Sequence, residues 1–401
     1  MALSVNHPQA RRFFSSALEK AKFQGSFLMD SPLVKALTPG EDMPPDCVIA
    51  VEEGLKPPGS ALTGANKGAG YRIDYALDGP VYGVPFSGDN RVTGASKLSL
   101  FSDYIEINQE RFPLESDGAF AEGVIPWEFR ERVMRKLKND YFPMFWDERI
   151  LGKASGALGS GTWLTLDPTK ATSSARSIDG SIASDGNDLR APSTGRIVYG
   201  NKRASQAAIT TADYASLNIL DDAVMKAVLP GNNATLKRAV PHLLLRNKPS
   251  FVWVIGTEQA ADLTRRTSDR FYDLMKAAGT GGKGIGKELI DWSTYYYSTL
   301  GYDVYIVVHP KMVRFSAAAT GGEKVMRSLL LGRGAMRVAL GRKTKSIGAF
   351  DWYERELDEG NITRITAGLT EGVQKPAYTT TESGSTREDY AVMAIDTYCD
   401  Y

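Results

Sequence analysis

Leu331-Gly332-Arg333-Gly334-Ala335, Phe350-Asp351-Trp352-Tyr353-Glu354, Asp358-Glu359-Gly360-Asn361, Ile365-Thr366-Ala367-Gly368-Leu369, Glu371-Gly372, Lys375 and Val392-Met393-Ala394-Ile395-Asp396-Thr397 follow one another in that order through residues 331–397. Apolar and β-branched runs broken by Gly, Asp and Asn predict strands, with turns at Asp358-Glu359-Gly360-Asn361 and at Glu371-Gly372. Just upstream, residues 323–340 read as a helical stretch. Its surroundings are basic: Lys324, Arg327, Arg333, Arg337, Arg342, Lys343 and Lys345 face only Glu323 among acids over residues 323–345. Without interleaved aromatic residues, such a face is expected to be solvated or paired with another subunit, in preference to nucleic acid.

Working back from there, residues 304–308 and 251–255 are apolar runs of buried-strand length, and helices are expected at 211–229 and 258–278, the second capped by Thr257. These alternations suggest a small mixed lobe. Residues 125–157 give the longest helix, with Pro126 at its first position and a stripe of Val133, Met134, Leu137, Tyr141, Met144, Phe145, Ile150 and Leu151. Pro143 should kink it, because the ring clashes with the preceding turn. Between this helix and the lobe, residues 159–200 are rich in Ser, Thr, Gly and Asp, which predicts a mobile surface segment.

Nearer the N-terminus, Tyr71, Ile73, Tyr75 and Leu77 alternate with polar residues, and a second strand-like run covers 98–107 beyond a Gly/Ser/Asp/Asn tip at 87–94. The two form a long ribbon. A two-stranded hairpin is marginal in water by itself, so this one needs a partner. Residues 31–70 carry Pro32, Pro39, Pro44, Pro45, Pro57 and Pro58, which resist helix and central strand alike. They read as an extended arm held by something outside its own domain, because Val48, Ile49, Val51 and Leu55 are apolar. Residues 7–24 predict a short amphipathic helix.

The whole chain has 401 residues, 48 Lys plus Arg and 47 Asp plus Glu, so its summed field offers no global attraction for nucleic acid or an anionic membrane. Length favours two or more lobes. Two cysteines, Cys47 and Cys399, are too few for a disulfide framework or a thiolate zinc site. Arg11, Arg12, Glu19, Lys20 and Lys22 interrupt any signal-like apolar stretch, and no run is long enough to cross a bilayer, so a soluble chain is expected.

Catalytic patterns are weak. Gly281 to Lys287 has phosphate-loop spacing, but Glu288 stands where a Ser or Thr should bind magnesium, and a helix instead of a strand leads into it. His7, His242 and His309 lack metal spacing. Asp179, Asp185 and Asp188 do not follow the order of a calcium loop, and the pairs Asp147/Glu148 and Glu354/Glu356 read as surface charge. No catalytic, cofactor or metal residues are expected. The alternative is a nucleotide-binding enzyme using the Gly281-Lys287 loop; a carbohydrate-binding or tail-associated β protein is a third reading.

The ordered series in residues 331–397 resembles the C-terminal signature of the major capsid proteins of N4-like tailed phages. The resemblance extends to the arm, the ribbon, the long helix and the strand-then-helix block at 251–278. It implies an α+β, HK97-type capsid fold, with residues 1–70 as N-terminal arm, 71–118 as the β-hairpin E-loop, and 119–157 as the P-domain spine helix. Residues 158–348 would be mainly the mixed α/β A-domain with P-domain crossings, and 349–401 the P-domain C-terminal strands. It further implies self-assembly into hexamers and pentamers of an icosahedral virion shell around double-stranded DNA, touched non-specifically on the inner face. Portal and decoration or scaffold proteins would be partners, assembly would occur in the host cytoplasm, and no membrane would be involved. Lys97, near the ribbon tip, is the lysine to examine for the covalent crosslinking some members of the fold class use.

Overall fold

The computed structural model describes residues 47–53, 69–77, 99–116, 142–156, 190–229, 239–245, 248–266, 295–310, 314–315, 324–340, 350–357, 361–379 and 387–399, with the single positions Leu37, Val133, Arg135 and Met312. The expected helix at 7–24, the ribbon tip, Lys97, the region around Pro126, residues 159–189 and the Gly281-Lys287 loop lie outside them.

Two sheets carry the fold. The first is built on strand β13 (Ile362–Gln374), which pairs antiparallel with β3 (Ser99–Glu115), β12 (Phe350–Leu357) and β11 (Met336–Leu340). β1 (Ile49–Glu53) adds in parallel to β11, from Ile49 opposite Met336 to Glu53 opposite Leu340. This part of the Pro-rich segment is therefore held by its own chain. Ile49 is fully buried, and the Gly334 N–H donates to the Cys47 carbonyl at 2.8 Å, so apolar burial and ladder bonds together pin it.

β2 (Ala69–Leu77) pairs antiparallel with the first half of β3, from Ala69 opposite Ile107 to Leu77 opposite Ser99, which is the expected ribbon. β3 then continues past residue 107, and its second half, Asn108 to Glu115, lies along β13. One continuous strand thus serves ribbon and sheet.

The second sheet runs β4 (Ile197–Tyr199), β16 (Val392–Tyr398), β10 (Val325–Leu331), β6 (Lys248–Ile255), β8 (Tyr302–Val308) and β7 (Tyr295–Thr299) in spatial order. β5 (Leu243–Leu245) pairs with β6, and β9 (Arg314–Phe315) with β10. Every residue of β10 is buried. That overturns the helical reading of 323–340: a short apolar run fits a buried strand as well as a helix, and Gly332 and Gly334 break it into β10 and β11. A small hairpin, β14 (Ala377–Thr379) with β15 (Arg387–Asp389), completes the described strands.

Helix α1 (Phe142–Ser155) lies against β13 and β10, and Val133 and Arg135 upstream are helical too. Phe145, Trp146, Ile150, Leu151 and Ala154 are buried. Gly156 ends the helix at φ +62, and a Cβ there would lie 1.9 Å from the Arg190 carbonyl oxygen, so only glycine admits the returning chain. Helix α2 (Leu217–Val228) buries Leu217, Leu220, Ala223, Val224 and Ala227 at helical spacing. It begins at Leu217, six residues later than the expected 211, behind the N-cap Ser216, whose side chain accepts from the Ile219 N–H. Helix α3 (Thr257–Arg266) is not capped by Thr257. Gly256 supplies the first helical acceptor, to Ala260 N at 2.9 Å, and its own N–H donates to Gln259 Oε1 at 3.0 Å.

Two further expectations fail. Residues 190–200, read as the end of a mobile segment, are ordered: Ile197 to Tyr199 pair with β16, and Arg196 is buried. No turn occurs at Glu371-Gly372, because β13 runs straight through as its neighbours change from β3 and β12 to β11.

Candidate functional site: the ribbon root and its buried ion pairs

The ribbon leaves the first sheet where α1 crosses β13. There Arg149 Nε stands 3.6 Å from Glu371 Oε1, both side chains at most 1 % exposed, and the guanidinium lies over the Phe145 ring, 5.1 Å from its centroid. The spacing is helical: Phe145 and Arg149 are one turn apart, so a cation sits inside the apolar stripe. Two residues before it, Asp147 Oδ2 lies 3.0 Å from His309 Nε2 at the end of β8. Helix α1 therefore reaches both sheets through charged side chains.

The C-terminal end of α1 is clamped by Arg327. Its Nε and Nη2 bond the two carboxylate oxygens of Asp396 at 2.7 and 2.8 Å, while Nη1 donates to the Ser155 carbonyl at 3.0 Å. A guanidinium at a helix C-terminus meets both the free carbonyls and the negative end of the helix dipole. Arg327 thus belongs to no solvated helix face, contrary to the sequence expectation, and it is paired within the chain.

A third cluster ties residues 190–196 to the β14–β15 hairpin. Lys375 Nζ donates to Asp389 Oδ2 at 2.9 Å and to the Arg190 carbonyl at 3.1 Å. The Arg196 Nε donates to the Asp389 carbonyl at 3.0 Å, and the Ser193 N–H to Asp389 Oδ2 at 3.2 Å. Burial pulls the Lys375 ammonium below the ordinary lysine range, and the Asp389 carboxylate beside it opposes that shift without cancelling it.

Asp213 anchors the fourth. It accepts from Asn201 Nδ2 at 2.6 Å, from Arg203 Nε at 2.9 Å, and from the Thr210 N–H and hydroxyl at 2.8 and 3.1 Å. Burial pushes its carboxyl up, but these donors outweigh it and hold the group below the usual carboxylate range. Its backbone carbonyl accepts from Tyr398 N at 2.9 Å, which fastens the loop to β16.

Of the residues weighed for chemistry, His309 and Asp147 come together as a structural pair, and the His242 ring packs edge-on against Tyr302. Glu356 stands exposed on β12. Asp179, Asp185, Asp188 and the Gly281-Lys287 loop fall outside the described residues. Among the described residues no three His, Cys, Asp or Glu side chains are grouped to hold a metal, no helix is long and apolar enough to cross a membrane, and Cys47 and Cys399 are both buried. Sequence reading missed Arg149, Arg196, Lys375 and Asp213 as buried charges. Only Arg149 left a usable signal, its place in the apolar stripe.

Solved structures share this architecture. The capsid of Ralstonia phage GP4 superimposes with a TM-score of 0.69 at 22% identity, covering 90% of each chain. The cyanophage Pam1 capsid gives 0.59 at 12% identity over 93% of each chain. The head structure of Helicobacter pylori bacteriophage KHP40 gives 0.57 at 14% identity over 93% of this chain and 91% of that one. The fold is thus the α+β, HK97-type capsid fold. A search of curated protein sequences finds no match. The model of the phage capsid protein family matches residues 3–401. The chain therefore belongs to the phage capsid protein family: it is a structural, non-enzymatic major capsid protein that self-associates to form the virion head shell.

Proposed function

We propose that this subunit assembles as hexamers and pentamers that join into an icosahedral shell around double-stranded DNA, in the host cytoplasm, with the inner face touching DNA non-specifically. Portal, scaffold and decoration proteins are its further partners, and the motif series in residues 331–397 favours an N4-like phage. In this reading residues 1–70 are the arm, 71–118 the E-loop, 119–157 the spine helix, 158–348 mainly the A-domain, and 349–401 the C-terminal P-domain strands. The observation that carries it is the ribbon: over residues 69–77 and 99–107, β2 and β3 pair only with each other among the described strands. Such a hairpin gains its stability from a surface it lies on, and neighbouring subunits supply one. Head-to-tail contacts that close on themselves give rings, and rings joined with curvature give a shell.

The test is to express the full chain and follow particle formation by electron microscopy, with hydrogen exchange on 69–77 and 99–107 before and after assembly. Closed shells with ribbon amides protected only after assembly are expected. A chain that stays monomeric at every concentration, with its ribbon already protected, would overturn the reading.

A further inference from the structure

The two residues joining β7 to β8 are Leu300 and Gly301, at φ +52 and +81, with Thr299 opposite Tyr302 across the turn. Positive φ at both central positions is what a tight two-residue hairpin of right-twisted strands demands, and Asn-Gly or Gly-Gly meets it without strain. Leucine does not: its Cβ crowds the following carbonyl in this conformation. Nor does the side chain repay the strain inside the subunit. Leu300 is 60% exposed, and a Cβ built on Gly301 meets nothing within 4 Å, so the tip stands out into open space.

The tip has apolar company. The Thr299 hydroxyl donates to Asp221 on α2 at 2.7 Å; one turn further along that helix Met225 stands exposed, and so does Leu229 at its C-cap. Leu244 on β5 is opposite Pro249, at the same end of the sheet as Tyr302. Leu300 is one of five large apolar side chains exposed among the described residues. A bulky apolar residue kept in a strained, exposed turn points to a contact made outside the subunit.

We infer that the Leu300 tip is an assembly contact, seated against the same end of a second copy of this chain. The inference rests on the self-assembly reading and assigns that reading a residue. A copy of the chain fits better than a charged partner, because the ions around the patch are matched internally: Lys202 with Asp222 at 3.2 Å and Lys248 with Asp303 at 3.6 Å. Among the described residues these two pairs cancel, so they set up no repulsion between like surfaces.

Leu300→Asn and Leu300→Gly both accept positive φ and remove the apolar knob. In the unassembled full-length chain each should unfold at the wild-type temperature or above it, while the concentration for half-assembly, read by sedimentation and light scattering, rises about tenfold or more. Assembly at the wild-type concentration would overturn the inference, and so would a lowered unfolding temperature, which would show that the leucine serves its own fold. A wild-type chain that never assembles overturns the parent reading and this one with it. Wild-type shells alongside unaltered variant shells overturn this one alone.

Discussion

Arg327 holds Asp396 through two parallel bonds of 2.7 and 2.8 Å, between side chains 7 % and 0 % exposed, and with its remaining nitrogen it caps the helix that carries Arg149 and Asp147. The pair joins neighbouring central strands, Arg327 being opposite Asp396 in the ladder of β10 and β16. Removing one partner strands the other charge in the core. Arg327→Met should destabilise the unassembled subunit by about 3–5 kcal/mol, whereas Arg327→Met combined with Asp396→Leu should recover most of that loss, since an apolar pair needs no compensation. Chemical denaturation of both variants checks this. A double variant as weak as the single would mean that the bond to Ser155 carries the effect.

Lys375 predicts a dependence on alkaline pH. Its folded pKa lies below the ordinary 10.5, so between those two values the unfolded chain binds more protons than the folded one, and stability rises with pH across that window. Unfolding free energy measured against pH should show this slope in the wild type and lose it in Lys375→Met. Met should also weaken the subunit at neutral pH, because Asp389 then lacks its cation.

Asp213 predicts the opposite end of the scale. With its folded pKa below 3.8, it contributes stability that is complete above that value and is lost as pH falls through the folded pKa. Asp213→Asn should remove this acid-dependent component and cost about 2–3 kcal/mol at neutral pH, as four donors lose a charged acceptor. Thermal unfolding between neutral pH and pH 3 separates the two effects.

The turn between β10 and β11 offers a contrast between two glycines. Gly334 has φ +66 but only ordinary contacts around a built Cβ, so Gly334→Ala should cost about 1–2 kcal/mol of backbone strain. At Gly332 a Cβ would lie 2.2 Å from the Pro241 carbonyl oxygen, a backbone atom that cannot swing away. Gly332→Ala should therefore cost more, about 3 kcal/mol, and equal melting temperatures for the two variants would contradict the geometry.

Where alternation or a helical stripe was strong, the sequence already spoke. Tyr71, Ile73, Tyr75 and Leu77 announced the ribbon, Phe251 to Ile255 and Val304 to Val308 two buried strands, which the fold then pairs in parallel, and Phe145, Ile150 and Leu151 the helix face. The failures share a cause in tertiary context. Val325 to Leu331 is short and, apart from Arg327 and Ser328, apolar, so its period carries no information, and only burial of all seven residues makes it a strand. Glu371-Gly372 looks like a turn until Arg149 arrives from a helix more than 200 residues earlier to neutralise the glutamate. Residues 190–196 look mobile by composition, yet Asp389 and Lys375, remote in sequence, supply their bonds. Buried charge is legible only once its partner is in place.

Because β3 is one unbroken strand, paired with β2 along its first nine residues and with β13 along its last eight, no loop separates what projects from what is rooted. It behaves as a cantilever. Any tilt imposed on the free half is delivered as torsion to the ladder at Asn108–Glu371, and from there to the helix lying across it. A ribbon rooted in this way cannot tilt without straining the sheet that carries it.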